Sequence, residues 1–162
     1  VWESRDLPRA EWTPAGPSSY ELLYRSGAGL TPRPLRRIAS GGELNRVMLA
    51  SKVVLGNADG VDTLVFDEVD AGVGGSTARA LAGVLADLAA THQVIVVTHL
   101  AQVAVMADKH YVVSKEPGDV PQTHLDEVTG EARTAEIARM LSGDQSEASL
   151  AHAKQMLEEA RG

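Results

Sequence analysis

The chain has 162 residues, of which 44% are hydrophobic and 23% charged, and its formal net charge is -7. This composition excludes a disordered chain, and no apolar run approaches the roughly 20 residues of a membrane-spanning helix. The lack of cysteine excludes disulfides and thiolate chemistry, and the acidic charge argues against a large basic DNA-binding face. The length suits one domain, residues 1–162, and a first residue Val1 in place of Met indicates a fragment of a longer protein.

Strands and helices are predicted along the whole chain, and they alternate from residue 40 to 115. The first strand is predicted at residues 19–25, and a helix begins at Ser40, carries apolar residues at helical spacing and ends at Gly56. Further helices are predicted after residues 74–77 and at 100–107, 134–141 and 146–160. Further strands are predicted at 63–66, 93–97, 110–114 and 123–128. This alternation predicts an α/β fold with a mainly parallel sheet flanked by helices.

The tetrad Ser40-Gly41-Gly42-Glu43 stands at the start of the first predicted helix. Its glycines allow the backbone to approach a ligand closely, and the amides at a helix N-terminus attract anions such as phosphate. The same residues also suit a capping box, in which Ser40 is the N-cap and Glu43 reaches back from the third position. The two interpretations are compatible, because a capped helix start can still face a phosphate.

Two acidic residues, Asp67 and Glu68, directly follow a short apolar strand. In phosphate-loop NTPases a carboxylate at such a strand tip holds Mg²⁺, and the following glutamate can orient the attacking water. The alternative is a solvated loop with two exposed acids. This pair and Thr98-His99 both fall at the carboxyl ends of predicted buried strands, which is the edge where open α/β sheets bind ligands.

His99 is a candidate contact for a phosphate group, although a histidine at a strand end is more often a structural hydrogen-bonding residue. No G-x-x-x-x-G-K-[ST] loop occurs in the chain, so the segment that would cradle the β- and γ-phosphates is missing. The candidate residues therefore form half of a nucleotide-hydrolysing site.

Four motifs in order resemble the C-terminal half of an ABC-class ATPase head. Residues 40–44 resemble the ABC signature, 64–68 the Walker B strand, Asp70 the D-loop and His99 the switch histidine. Within that class the chain resembles the RecN family of bacterial DNA-repair proteins, relatives of the SMC proteins, in the segments 38–46, 66–73, 97–104 and 136–143.

The resemblance implies the C-terminal lobe of an ATPase head and assigns a role to each motif. Asp67 would bind Mg²⁺ through water, Glu68 would polarise the attacking water, and His99 would contact the γ-phosphate region. The signature, Ser40–Glu43, would contact ATP held by the phosphate loop of a second head. Asp70 would link the two sites across the dimer.

The same resemblance implies ATP and Mg²⁺ as cofactors and DNA double-strand-break repair as the function. The expected partners are the N-terminal half of the same protein, which carries Walker A, and a second head that closes around ATP to form a homodimer. DNA would bind mainly through other regions, in the cytoplasm at the nucleoid, and no membrane is expected to take part. The isolated chain is expected to be inactive.

Two alternatives remain open from the residues. The chain could be a head segment of another SMC-type or ABC-type ATPase, or a noncatalytic scaffold module with the same fold. Four arginines could form a small local basic patch or could instead pair with acids or phosphates: Arg33, Arg36, Arg37 and Arg46.

Overall fold

The computed structural model describes residues 2–25, 27–37, 40–56, 60–116 and 122–160. It begins with an antiparallel sheet of three strands in the order β1-β2-β3. The strands are β1 (Trp2–Asp6), β2 (Ser18–Tyr24) and β3 (Arg33–Pro34), with short 3₁₀ helices at Arg9–Glu11 and Leu35–Arg37. The strand predicted at 19–25 is confirmed as β2. Its neighbours β1 and β3 were not predicted, because their polar sequences lack the apolar alternation of a half-buried strand.

A parallel β-α-β unit forms the centre of the described structure. Helix α1 precedes it, and the order is α1 (Gly41–Leu55), β4 (Thr63–Asp67), α2 (Gly75–Ala89), β5 (Gln93–Val97) and α3 (Ala101–Ala104). The register pairs Thr63 with Gln93 and Asp67 with Val97, so both strands end at the same level. Ser40 is the N-cap of α1 and Gly56 its C-cap, as the sequence predicts.

The C-terminal part combines an antiparallel hairpin with two helices. Its elements are β6 (His110–Glu116), β7 (Gln122–Val128), α4 (Gly130–Ser142) and α5 (Glu147–Glu159). The α/β class is confirmed, but parallel pairing among the described strands is confined to β4 and β5, since β6 pairs with β7. Helix α4 begins at Gly130, four residues before the predicted start.

Two hydrophobic cores meet at the short helix α3. The first lies between α1, α2, α3 and one face of β4–β5, and consists of Leu49, Leu64, Phe66, Val69, Ala82, Leu85, Leu88 and Val103. The second packs α3 against α4 and α5, and consists of Ala101, Ala104, Val105, Ile137, Ala138, Ala153, Met156 and Leu157. Because α3 follows β5 directly, these two cores hold the end of β5 in place from both sides.

One face of the parallel pair and one face of α1 are apolar and exposed. Val65, Ile95 and Val97 are 63%, 47% and 58% exposed, while their neighbours Leu64 and Phe66 point into the first core. Parallel strands are normally covered on both faces. The apolar spacing along α1 falls on the side away from buried Leu49, at Leu44, Met48, Val54 and Leu55. No helix within the described ranges is long and apolar enough to cross a membrane.

Candidate functional site

The parallel register brings the predicted site residues of two strands to one edge. Asp67 ends β4 opposite Val97, which ends β5, so Glu68 and His99 both follow strand ends at the same edge of the sheet. Asp67 and Glu68 are exposed, and the His99 side chain is 72% exposed. The edge is therefore an open polar surface at the carboxyl ends of the strands, as the sequence predicts.

Glu68 has a left-handed backbone, with φ of 58°, and is the one non-glycine residue with positive φ among the described residues. An L-residue pays roughly 1–2 kcal/mol for this conformation. The turn that follows is closed by Ala71 N–H donating to the Glu68 carbonyl at 3.0 Å and by Val73 N–H donating to the Asp70 carbonyl at 3.0 Å. Such strain is characteristic of functional turns that the surrounding structure holds in place.

The start of α1 packs directly on this turn. A Cβ added to Gly42 would lie 2.7 Å from the Glu68 carbonyl oxygen and 2.8 Å from the Ala71 Cβ. One added to Gly41 would lie 3.3 Å from the Glu68 Oε2. Ser40 Oγ accepts from Glu43 N–H at 3.4 Å, so the serine half of the predicted capping box is present. The described hydrogen bonds include no return bond from the Glu43 side chain.

Two polar side chains in the next turn of α1 fasten the helix to the same turn. Arg46 Nη1 donates to the Val69 carbonyl at 3.2 Å and to the Ala71 carbonyl at 2.8 Å. Asn45 Nδ2 donates to the Asp67 carbonyl. Asn45 was not predicted as a site residue, and the partner of Arg46 was left open between acids and phosphates. Their spacing of three and four residues after Gly42 places all three on one helix face, which is the signal that could have found them.

Asp70 is buried beneath the edge rather than projecting from it, with 1% of the residue exposed. Its Oδ2 accepts a short hydrogen bond from Thr98 Oγ1 and a bond of 3.2 Å from His99 N–H. The His99 Nδ1 lies 3.4 Å from the same oxygen. The structure thus joins the predicted D-loop residue to the predicted switch histidine within one chain.

Two of the four arginines of the predicted basic patch have partners within the chain. Arg36 pairs with Glu21 at 2.9 Å, and Arg46 is occupied by the backbone carbonyls described above. Of the four residues of the predicted basic patch, these two therefore have partners within the chain. The residues of the edge itself are mainly acidic.

The donor set of the edge suits a magnesium ion that also binds phosphate. Mg²⁺ usually takes one or two protein carboxylates and completes its shell with water and phosphate oxygens. Asp67 offers an exposed carboxylate at the strand tip. Within the described ranges no group of three His, Asp or Glu side chains could hold a metal ion on its own. The residues therefore fit a magnesium bound jointly with a nucleotide, not a closed protein cage.

Comparison with a solved structure defines the class of fold. The chain matches the Smc head domain with coiled coil and joint from Pyrococcus yayanosii with a TM-score of 0.56 and 21% identity, over 99% of this chain and 26% of that one. The likeness lies in the fold: the chain has the fold of part of an SMC head domain, as the sequence predicts. No protein-family model matches the chain.

Comparison with curated proteins identifies the particular relatives, all named DNA repair protein RecN. The chain is 51% identical to the RecN of Treponema pallidum over 146 residues, 89% of the chain and 26% of that protein. It is 51% identical to that of Deinococcus radiodurans over 149 residues and 48% identical to that of Streptomyces coelicolor over 150 residues. The chain is similar in sequence to these RecN proteins, as its motifs indicate, and spans about a quarter of their length.

Proposed function

We propose that residues 1–162 form the C-terminal lobe of the ATPase head of a RecN-like DNA double-strand-break repair protein. The observation that carries this proposal is the meeting of the signature helix, the Walker B acids and His99 at one sheet edge, in a chain about half identical to RecN proteins. The lobe hydrolyses ATP only together with an N-terminal half that supplies the phosphate loop, because the chain contains no such loop.

The proposed chemistry is in-line transfer of the γ-phosphoryl group to water. Glu68 orients and polarises that water from the left-handed turn after β4. Asp67 would hold Mg²⁺ through water, and the metal bound there would supply neutralisation of the phosphate charge. His99, largely exposed at the end of β5, contacts the γ-phosphate region. Phosphoryl transfer depends mainly on such positioning and charge stabilisation, which rigid strand ends can provide.

The signature residues, Ser40–Glu43, are proposed to contact ATP held by a second head. They form the N-terminus of a 15-residue helix whose amides and dipole attract phosphate. ATP then joins two heads and hydrolysis releases them, so the nucleotide drives formation of a homodimer. In this chain the same helix start also borders its own Glu68, so a contact within one chain is the competing arrangement.

The exposed apolar faces support the proposal that a partner covers this side of the sheet. Val65, Ile95 and Val97 form a β-branched face on a parallel pair, where a second layer is expected. The N-terminal half of the same protein is the proposed occupant, since it would also bring the phosphate loop to this sheet. DNA is proposed to bind mainly through other regions, because the chain is acidic overall and two of its candidate arginines have partners. The proposed location is the cytoplasm, at the nucleoid.

The test is Mg²⁺-dependent ATPase activity of the chain combined with the N-terminal half. We expect the chain alone to hydrolyse essentially no ATP and the complex to hydrolyse it. Glu68→Gln in the complex should abolish turnover while leaving nucleotide binding intact. Turnover that is unaffected by Glu68→Gln would refute the catalytic assignment. A stable complex that neither binds nor hydrolyses ATP would favour the scaffold alternative.

Complementation separates contacts across two heads from contacts within one. Ser40→Arg and Glu68→Gln should each inactivate the complex, and Ser40→Arg should also block ATP-driven dimerisation in light scattering. If the signature acts on the second head, mixing the two variants restores up to about a quarter of the wild-type rate, since half of the dimers are mixed and each has one intact site of two. If the signature acts within its own chain, the mixture stays inactive.

A further inference from the structure

We propose that Asp70 is a positioning residue for His99 of its own chain, whose carboxylate holds the Nδ1 side of the imidazole so that Nε2 faces the open edge. The structure joins the two residues within one chain, whereas their motifs assign Asp70 to a contact across the dimer. The catalytic consequence rests on the proposed role of His99 at the γ-phosphate, but the contact itself does not.

A single carboxylate oxygen gathers three groups from the end of β5. Asp70 Oδ2 accepts from Thr98 Oγ1 and from His99 N–H at 3.2 Å, and it lies 3.4 Å from His99 Nδ1. Thr98 Oγ1 in turn accepts from Leu100 N–H at 3.0 Å, which fixes the rotamer of the threonine. The backbone of Asp70 is itself held by the turn bond to Val73. The Asp70 carboxylate and the backbone of His99 are therefore both held by hydrogen bonds within the chain.

Burial makes the contact energetically significant. The Asp70 side chain is 2% exposed, and a buried carboxylate requires hydrogen bonds and a partner that carries or shares positive charge. Within the described ranges His99 is the one basic side chain within 4.0 Å of it. By contrast the imidazole is 72% exposed, so only its Nδ1 side is anchored. The exposed ring would otherwise rotate freely about its side-chain bonds.

The position of the Asp70 carboxylate decides which imidazole nitrogen of His99 faces the open edge of the sheet. A neutral imidazole carries one N–H, and the hydrogen bond made by one nitrogen decides the role of the other. A carboxylate is an acceptor only, so its position 3.4 Å from Nδ1 favours the proton on Nδ1, and Nε2 is then the nitrogen directed away from Asp70. Carboxylates that orient a functional histidine in this way are common partners of metal-bound and catalytic imidazoles. Asp70 thus acts through His99 and does not touch the substrate.

Nitrogen-15 NMR of the histidines in the 162-residue chain tests the contact without nucleotide. The His99 signals are assigned by their loss in His99→Ala, and spectra at alkaline pH report which ring nitrogen carries the proton. We expect the Nδ1–H form in the wild type. Asp70→Ala removes the acceptor and should give the Nε2–H form, which a free neutral imidazole favours, whereas Asp70→Asn should keep the Nδ1–H form, because its amide oxygen still accepts from Thr98 and the His99 N–H at the position of Oδ2. Thr98→Val is the matched control, since it removes a hydrogen bond to Asp70 but should leave the Nδ1–H form. The Nε2–H form in the wild type, or no change in Asp70→Ala, would overturn the proposal.

A double-variant cycle tests the consequence in the complex with the N-terminal half. Asp70→Ala should lower kcat by about tenfold with little change in the KM for ATP, as expected for loss of a residue that orients a functional histidine. In the His99→Ala background the same substitution should have no further effect on kcat, because its target is already gone. A further loss of kcat there would show that Asp70 acts on something else. If the wild-type complex hydrolyses no ATP, the proposed function fails, and the NMR result still decides the Asp70–His99 contact.

Discussion

The close packing of α1 on the turn after β4 predicts that Gly42→Ala destabilises the fold. The added Cβ would lie 2.7 Å from the Glu68 carbonyl oxygen and 2.8 Å from the Ala71 Cβ. Two carbons reach their optimum near 3.5 Å, so α1 must withdraw by about 0.7 Å. Both neighbouring atoms belong to a turn that backbone hydrogen bonds hold, so neither can rotate away.

Two opposing effects set the change in the free energy of unfolding caused by Gly42→Ala. Overpacking of this kind costs about 1–3 kcal/mol, and replacing glycine by alanine in a helix returns at most about 1 kcal/mol. The withdrawal also lengthens the hydrogen bond of Arg46 to the Ala71 carbonyl, now 2.8 Å. We therefore expect Gly42→Ala to lower the free energy of unfolding by about 1–2 kcal/mol.

Urea unfolding of the two glycine variants Gly42→Ala and Gly83→Ala provides the assay. Gly83 lies inside α2, where an added Cβ meets nothing within 4 Å, so Gly83→Ala should stabilise the chain by about 1 kcal/mol. The two midpoints should move in opposite directions at an unchanged slope m. If Gly42→Ala also raises the midpoint, α1 is not packed on the turn after β4.

Three further predictions concern the turn, the exposed sheet face and the C-terminal helices. Glu68→Gly should unfold at higher urea than Glu68→Gln, by about 1 kcal/mol, because glycine adopts the φ of 58° without strain; equal midpoints would show that the turn relaxes. Val65→Thr should weaken binding of the N-terminal half measured by calorimetry, whereas Val113→Thr, at 64% against 63% exposure, should not; equal effects would remove the sheet face as the binding surface. Hydrogen bonds from Ser149, Ser146 and Ser142 lower the pKa of Asp144 from 3.8 to about 2. The stabilisation from Asp144 is therefore complete above about pH 4 and lost as the pH falls towards 2, and acid unfolding of Asp144→Ala should lack that component while the surface variant Asp87→Ala retains it.

The sequence identified most elements of the fold because their signals are local. The N-cap at Ser40 and the stop at Gly56 fix α1, and the apolar run before Asp67 fixes β4. Each of these signals acts over a few residues through capping or burial, so no knowledge of distant partners is needed. These local signals did not predict how many of the strands pair in parallel. Strand β6 has the same apolar character as β5, and only its hydrogen bonds to β7 show that it runs in an antiparallel pair.

The exposed apolar faces also could not be predicted from the local sequence pattern. The apolar spacing along α1 indicates a helix but does not say which side is covered. In the structure Leu49 packs on the first core, while Leu44 and Met48 are 42% and 48% exposed. Whether a side chain is buried depends on which other elements pack against it. A periodic pattern therefore predicts the helix without predicting what covers it.

The sequence by itself determined the residues of the candidate site. Asp67, Glu68 and His99 stand at strand ends, and the tetrad from Ser40 begins a helix, because chain-local patterns place them there. The tertiary structure alone decided how they are arranged. It packed Gly42 on the turn of Glu68, fastened Arg46 to two of its carbonyls, and buried Asp70 against His99. These contacts join residues more than 20 positions apart, and they depend on the parallel register of β4 and β5, which no local pattern encodes.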